Sequence, residues 1–245
     1  MSFGSSIKHL ALRMVYGHKG DERRYVEWLR AQGMQVGTNV HLYSPWTIDI
    51  DTQRPWMIEI GNDVHITAHC SILQHDFSRV VIQKITGEYF DTAGKTVIGN
   101  NVFIGQKTVI LKGSHIGDNV IVGAGSVVSG SLAPNAVYGG VPARKIMDME
   151  TFIERRRQAQ LREAVECVRE YKRAYGRWPD RSTMREFLWL YSPRTEQSVL
   201  WGGYVFTHDD NESKTREAFM KSKPRFDSYE AFLDYVQTAG DLNEC

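Results

Sequence analysis

The chain has little of what a disulfide-bonded or membrane-spanning protein needs. Only three of its 245 residues are cysteines, Cys70, Cys167 and Cys245, and their wide spacing fits neither a disulfide framework nor a zinc cluster. It has no run of about 18 apolar residues, and its 30 basic and 29 acidic residues nearly cancel. Because the net charge is close to zero, the protein has no overall electrostatic field that would attract nucleic acid or an anionic membrane. We therefore expect a cytoplasmic protein that binds no nucleic acid and has no membrane-spanning segment.

What the sequence does have is a period of six residues. Aliphatic residues recur at this spacing in two runs, with Arg54 as the exception: Val36, Leu42, Ile48, Arg54, Ile60, Ile66 and Ile72, and then Ile98, Ile104, Ile110, Ile116, Val122 and Val128. A second column of mostly small or β-branched residues follows four residues after each. A helix with 3.6 residues per turn would spread such a pattern over every face, whereas short strands keep it in phase.

Short strands alternating with residues suited to tight turns predict a parallel β-helix. Six is also a multiple of two, so an antiparallel sandwich is the alternative. Sandwiches rarely keep one spacing through six consecutive units, as the segment from Ile98 to Leu132 does. The repeat therefore favours the β-helix.

Two segments resemble the hexapeptide-repeat acyltransferases: Ile98 to Gly130, and Ala136 to Ile146 with its Gly-Gly-Val-Pro-Ala-Arg sequence. The resemblance covers roughly residues 32–146, and Asp51 to Thr67 is similar in particular to members that modify surface polysaccharides. It implies a left-handed parallel β-helix of the maltose and galactoside acetyltransferase type. It also implies a homotrimer with active sites between subunits, acetyl-CoA as the acyl donor, and no metal.

We predict a mainly β fold in three segments: an N-terminal helical cap (1–35), the left-handed β-helix acyltransferase domain (36–146) and an α-helical C-terminal region (147–245). The cap contains a helix between Asp21 and Gly33. Between Ile72 and Ile98 the period of six is broken, which predicts an extruded loop at 76–96.

The C-terminal region changes to a helical pattern. We predict helices at Met149–Tyr175, Arg181–Leu190, Glu212–Lys221 and Ser228–Thr238. The region is rich in large rings: Trp178, Phe187, Trp189, Tyr191, Trp201, Tyr204 and Phe206. These rings either form the core of a helical unit packed on the coil or line a sugar-binding groove.

His75 is the candidate catalytic base. The loop leaves the coil at Gln74-His75-Asp76, where, by the resemblance, the family keeps its essential histidine. Acetyl transfer from a thioester to an alcohol requires removal of the hydroxyl proton. Histidine suits this step because it titrates near pH ~6.5, and general-base catalysis typically contributes about 10²- to 10⁴-fold.

Three further residues are candidates for binding the acceptor. Asp76 is a candidate either to orient the imidazole or to bind the acceptor, although adjacent residues on an extended chain point apart. By the resemblance, Asp51 contacts the acceptor. Tyr43 stands where relatives have an acceptor-binding asparagine, so the resemblance leaves the acceptor's identity open.

Arg54 interrupts the aliphatic column. It is either a buried residue in an ion pair, with Asp49 or Asp51 as its partner, or a sign that this corner of the coil bulges.

For the coenzyme, the resemblance implies roles for Gln106, Ala124, Ser129, Arg144 and Lys145. Backbone groups beside Gln106 and Ala124 would hold the pantetheine arm, and Arg144 would meet phosphate. Gly130 stands where many relatives have a phosphate-binding lysine, so Lys145 or Arg144 takes over that role or the affinity is lower.

These residues predict an acetyl-CoA-dependent O-acetyltransferase that acts on a sugar hydroxyl of a surface polysaccharide or its precursor. An antibiotic hydroxyl or a sugar amine is an alternative acceptor. A metal-dependent hydratase like the γ-type carbonic anhydrases is a second class, because five histidines lie near repeat units: His41, His65, His69, His75 and His115. A non-catalytic scaffold is the third.

Overall fold

The computed structural model describes residues 11, 12, 14–207 and 212–238, in two compact units, Met1–Phe152 and Ile153–Cys245. Cys245 and the outer ends of the predicted cap and C-terminal region lie outside the described residues. No helix in the described part of the chain is long and apolar enough to cross a membrane.

The first unit is built from three sheets that the chain visits in turn. The first sheet contains β1 (Gln35–Val36), β4 (Ile58–Ile60), β7 (Thr96–Ile98), β10 (His115–Ile116) and β13 (Ser131–Leu132). The second contains β2 (Val40–Leu42), β5 (Val64–Ile66), β8 (Val102–Ile104), β11 (Val120–Val122), β14 (Ala136–Gly139) and β15 (Arg144–Asp148). The third contains β3 (Asp49–Ile50), β6 (Ser71–Ile72), β9 (Val109–Ile110) and β12 (Val127–Val128).

The described strands pair in parallel, except that β15 runs antiparallel to β14. This pairing confirms the parallel β-helix and rules out the antiparallel sandwich. In the regular coils, residues 18 apart are stacked, as in the pair Val109 and Val127. Both columns of the repeat point inward there, so Ile110 and Ser126 are buried.

The first coil is less regular because prolines start short 3₁₀ helices at two of its corners, Pro45–Thr47 and Pro55–Met57. Equivalent residues in this coil are 24 apart in the first sheet, where Gln35 pairs with Glu59. Ile50 is buried there, whereas Arg54 is only partly buried.

One corner of the coil is made by residues in the left-handed conformation. Asn101, Asn119 and Asn135 have φ values of 53°, 55° and 58°, and Asn is one of the few non-glycine residues that adopt this region readily. Their side chains form a ladder: Asn101 Nδ2 donates to Asn119 Oδ1 at 2.7 Å, and Asn119 Nδ2 donates to Asn135 Oδ1 at 2.9 Å.

Helix α1 (Glu22–Ala31) precedes the first strand. Asp21 accepts a hydrogen bond from the Arg24 N–H at 3.1 Å, and Gly33 has a φ of 95° after the helix. Its buried residues Tyr25 and Leu29 belong to the same apolar cluster as the coil interior.

The residues between β6 and β7 leave the coil. We call residues 76–95 the flap. It contains helix α2 (Arg79–Thr86), which has no buried residue. The flap's exposed apolar side chains are Phe77, Val80, Val81, Ile82, Ile85, Tyr89 and Phe90.

The second unit is helical and has its own apolar core. The long helix α3 (Met149–Tyr175), which begins in the first unit, and α6 (Glu212–Lys221) have the predicted bounds, and α7 (Tyr229–Thr238) starts one residue late. The prediction for 181–190 is wrong: only Arg185–Leu190 is helical, as a 3₁₀ segment kinked at Phe187. The predictions also missed α4 (Glu196–Gly202) and α5 (Tyr204–Thr207).

The aromatic residues of this unit serve as its core. Tyr191 and Phe206 are fully buried, and four further rings pack partly buried against them: Trp178, Phe187, Trp189 and Trp201. This supports the core interpretation for these six side chains.

Candidate active site

Several candidate residues come together where the strands of the third sheet end. Asp51 follows β3, Gln74 and His75 follow β6, and Ser129 follows β12. Because these strands are parallel and stacked in register, the residues that follow them lie along one edge of the coil, which we call the base corner.

His75 and Asp51 are in direct contact at the base corner. Nδ1 of the imidazole bonds to Asp51 Oδ2, and the side chains are 21% and 8% exposed. In a neutral imidazole, a carboxylate at Nδ1 favours the tautomer that has its proton on that nitrogen and its lone pair on Nε2. The pair therefore has the arrangement expected of a general base and a carboxylate that orients it.

Asp51 is held in its ionised form. Burial on its own raises the pKa of this carboxyl. The hydrogen bonds from the Gln53 N–H at 3.0 Å, from His75 and from Gln74 outweigh that effect and keep the pKa below its ordinary value. Asp51 is thus a negative charge next to the imidazole at neutral pH.

Gln74 is a member of this group that the sequence did not predict. Its side chain is fully buried, its Nε2 lies 3.2 Å from His75 Nδ1, and its backbone carbonyl accepts a bond from the Gly94 N–H at 2.8 Å. Gln74 therefore packs beside His75, and its backbone holds the end of the flap. In the sequence, the signal that could have found Gln74 is its position directly before His75 at the break in the period of six.

Asp76 turns away from the imidazole. Its Oδ2 forms an ion pair with Lys112 Nζ at 2.5 Å, and its Oδ1 accepts bonds from the Ser78 N–H and hydroxyl. These contacts, with Lys112 first, hold the pKa of Asp76 well below its usual range. The carboxylate that contacts the imidazole is therefore that of Asp51, and Asp76 fixes the start of the flap.

Arg54 also differs from the prediction. Its partner is Asp91 in the flap, with Nη2 and Oδ2 2.5 Å apart, rather than Asp49 or Asp51. The flap bends back so that Asp91 reaches Arg54. The two residues are 37 apart in the sequence, and the sequence does not predict their contact.

Tyr43 lies at a different corner, after β2. Its hydroxyl is 3.0 Å from His65 Nδ1, and it lines a cavity of about 790 Å³ together with His41 and Trp46. The structure thus separates it from Asp51, which lies at the other end of β3.

The residues expected to bind coenzyme are spread over two corners and the last strand. Gln106 and Ala124 are exposed and stacked on the corner between the second and third sheets, where the Gly125 N–H donates to the Gln106 carbonyl at 2.7 Å. Ser129 is exposed at the base corner. Arg144 and Lys145 lie on β15, and Lys145 Nζ bonds to Asp148 Oδ1 at 2.6 Å.

Two of the histidines that suggested a hydratase, His41 and His65, make contacts other than metal ligation. His41 contacts Glu22 at 2.9 Å and stacks on the His65 ring, with centroids 4.8 Å apart. Among the described residues, no three His, Cys, Asp or Glu side chains are grouped to hold a metal ion. The converging ligands that zinc requires are not assembled in that part of the chain.

Comparison with known proteins finds relatives of this chain. Residues 95–130 match the family described as bacterial transferase hexapeptide (six repeats). Protein CapG of Staphylococcus aureus is 36% identical over 148 residues, which are 60% of this chain and 81% of CapG. The galactoside O-acetyltransferase of Escherichia coli (strain K12) is 32% identical over 123 residues, or 46% of this chain and 56% of that protein.

Among solved structures, a maltose O-acetyltransferase from Clostridium difficile 630 aligns with a TM-score of 0.41 and 25% identity, over 58% of this chain and 84% of that one. The extent and identity of the CapG match show the family: the chain belongs to the hexapeptide-repeat acyltransferases.

Proposed function

We propose that this acyltransferase transfers the acetyl group of acetyl-CoA to a sugar hydroxyl of a surface polysaccharide or its precursor, with His75 as the general base. The observation that carries the proposal is the contact of His75 Nδ1 with an ionised Asp51. It directs the free Nε2 lone pair away from the carboxylate and toward an acceptor.

The proton movements balance around the imidazole. His75 Nε2 takes the hydroxyl proton as the acceptor oxygen bonds to the acetyl carbon. It returns that proton to the sulfur as the carbon–sulfur bond breaks. Asp51 stabilises the imidazolium between the two steps.

The distance between His75 and the residues expected to bind the coenzyme supports a site shared between subunits. Gln106 and Ala124 lie at one end of the third sheet and His75 at the other. At about 3.3 Å per residue the sheet separates these corners by on the order of 15 Å. A second copy that brings its own Gln106 corner to His75 would close this gap, and Arg144 would supply positive charge for a phosphate.

The flap supports the same assembly. Its helix α2 has eight residues and none is buried, although so short a helix is only marginally stable without tertiary packing. We infer that a neighbouring copy covers its apolar face in a homotrimer. We likewise infer from family membership that the β-helix is left-handed.

A thiol-release assay with acetyl-CoA tests the function. The panel should contain oligosaccharides, free sugars, sugar amines and antibiotics, with the acetylated product identified by mass. We expect release with a sugar alcohol, lowered at least about a hundredfold by His75→Ala and unchanged by His115→Ala, an exposed histidine on β10. Near-normal turnover of the His75→Ala variant would show that His75 is not the general base.

Other outcomes would assign the chain differently. Thiol release only with an amine or an antibiotic would move the acceptor to those classes. No release with any acceptor favours the scaffold, and stoichiometric zinc that survives dialysis favours the hydratase.

A further inference from the structure

Arg54 stands in a column that is otherwise aliphatic, and packing does not account for it. One of its guanidinium nitrogens, Nη1, is buried with no hydrogen-bond partner in the described part of the chain, which is unfavourable for folding. A second nitrogen, Nη2, bonds to Asp91 in the flap at 2.5 Å. The side chain thus makes a connection that an aliphatic residue cannot make.

Asp91 also contacts Arg79. Its second oxygen lies 3.5 Å from Arg79 Nε, which is buried and has no hydrogen-bond partner among the described residues, so this contact is an ion pair without a hydrogen bond and two guanidinium groups share one carboxylate. The Arg79 guanidinium is also close to two rings, 4.3 Å from the centroid of Phe77 and 4.6 Å from that of Tyr89. Both contacts are within the range of cation–π attraction.

Phe77 completes the chain of contacts at the base. Its ring meets the His75 ring edge to face, with centroids 6.2 Å apart, an arrangement that aromatic groups favour. Contacts are therefore continuous from Arg54 on the coil through Asp91, Arg79 and Phe77 to His75.

The flap has separate attachments that do not involve Arg54. Asp76 pairs with Lys112, and the Gly94 N–H donates to the Gln74 carbonyl, while the bond from the Asp76 N–H to Thr92 Oγ1 at 3.1 Å joins the two ends of the flap to each other. Loss of Arg54 therefore leaves both ends of the flap tied to the coil and affects the placement of Phe77 in particular.

We infer that Arg54 is a positioning residue for His75, which fixes the face of the imidazole through Asp91, Arg79 and Phe77. This inference rests on the proposed function in one respect, that His75 is the base. Asp51 holds Nδ1 of the ring. The contacts that run from Arg54 to Phe77 prevent the ring from tilting about its hydrogen bond to Asp51.

The kinetic test compares Arg54→Met with Arg54→Lys. We expect Arg54→Met to lower kcat about three- to tenfold, with the KM for acetyl-CoA unchanged, because a misaligned base slows the transfer and not donor binding. Arg54→Lys keeps the charge and should recover at least half of kcat. The matched control is Arg23→Met, which removes an exposed ion pair with Glu27 on α1 and should leave kcat unchanged.

A double substitution checks the route. Arg79→Met should resemble Arg54→Met, and the double variant should be no slower than either one, since both act through Asp91. Additive losses would contradict the shared route. Should Arg54→Met fail to fold by circular dichroism, Arg54→Lys and Arg79→Met still decide the matter.

A measurement independent of turnover separates this inference from the proposed function. In protein labelled with ¹³C,¹⁵N-histidine, the His75 ring signals are assigned by their loss in His75→Ala. We expect Arg54→Met to shift these signals and Arg23→Met to leave them in place. Unmoved His75 signals together with unchanged kcat overturn the inference, whereas a wild-type protein that transfers no acetyl group overturns the proposed function and leaves the spectral test intact.

Discussion

Two aspartates lie close to His75, Asp51 in space and Asp76 in the chain, and their environments differ. Asp51 is almost fully buried on the imidazole, whereas the carboxylate of Asp76, the next residue in the chain, meets Lys112. Neighbouring residues on an extended segment point to opposite sides, so the carboxylate that is adjacent in space comes from the preceding coil.

The sequence therefore singled out His75 as the candidate base but did not predict its contact with Asp51. The family motif and the break in the period both occur at His75. Its contact with Asp51 depends on how the first coil stacks under the second, and there the separation is 22 residues, as in the pair Asp49 and Ser71. The 3₁₀ turns at Pro45 and Pro55 change this spacing, so the period of six does not give the register.

Replacing Asp51 tests its orienting role. We expect Asp51→Asn to lower kcat at least about tenfold while the KM for acetyl-CoA changes little, because an amide neither fixes the Nδ1 proton nor stabilises the imidazolium as the carboxylate does. Steady-state kinetics with both substrates measure this. Asp49→Asn, an exposed position on β3, is the control, and an equal loss there would contradict the specific role.

The same carboxylate makes stability depend on pH. Its pKa is lower in the folded protein than the ordinary 3.8, so its contribution is complete above that value and is lost as the pH falls through the folded-state pKa. The difference in unfolding free energy between wild type and Asp51→Asn should be larger at pH ~7 than at pH ~2.5. Urea titrations at both pH values measure it, and a constant difference would be the opposite result.

At the scale of the element, the corners decide how the coil closes. Asn119 combines a φ of 55° with two ladder bonds. The sequence indicated turns at such Asn and Asp residues. It did not indicate that they stack, because Asn101 and Asn119 are 18 residues apart whereas Asn119 and Asn135 are 16 apart.

Substitution at Asn119 separates the two effects. Asn119→Gly loses the ladder bonds but tolerates the positive φ, and should cost about 1–2 kcal/mol. Asn119→Ala loses the bonds and also strains the backbone, and should cost roughly 1 kcal/mol more. Urea unfolding of the three proteins gives the order, and an alanine variant as stable as the glycine variant would show that the backbone is not strained there.

Helices were predictable where local signals agree. The long helix α3 ends at Gly176, whose φ of 70° suits a C-terminal glycine. In 181–190, Asp180 accepts a bond from the Thr183 N–H, as a helix N-cap does, but the backbone bonds that follow are of the 3₁₀ type, from the Met184 N–H to Arg181 and from the Phe187 N–H to Met184. The buried Tyr191 hydroxyl also bonds the Met184 carbonyl across the kinked segment, a tertiary contact that the local sequence does not reveal.

At the scale of the whole molecule, each unit has its own apolar cluster, yet the first unit keeps a flap whose seven large apolar residues are exposed. Monomeric proteins rarely leave such contiguous patches uncovered. Together with the distance between the base corner and the Gln106 corner, this patch supports the proposal that each site is shared between two chains.

Mixed oligomers test whether two chains share each site. We expect His75→Ala and the double variant Arg144→Ala/Lys145→Ala to be inactive alone at low acetyl-CoA. Co-expressed in equal amounts with different tags and purified as mixed oligomers, they should regain about a quarter of wild-type activity, the share of interfaces that combine an intact base with intact cations when subunits assort at random around a ring. Mixing His75→Ala with Asp51→Asn should restore nothing, because those two side chains are in contact within one chain. If the first mixture also stayed inactive, base and cations would have to come from the same subunit.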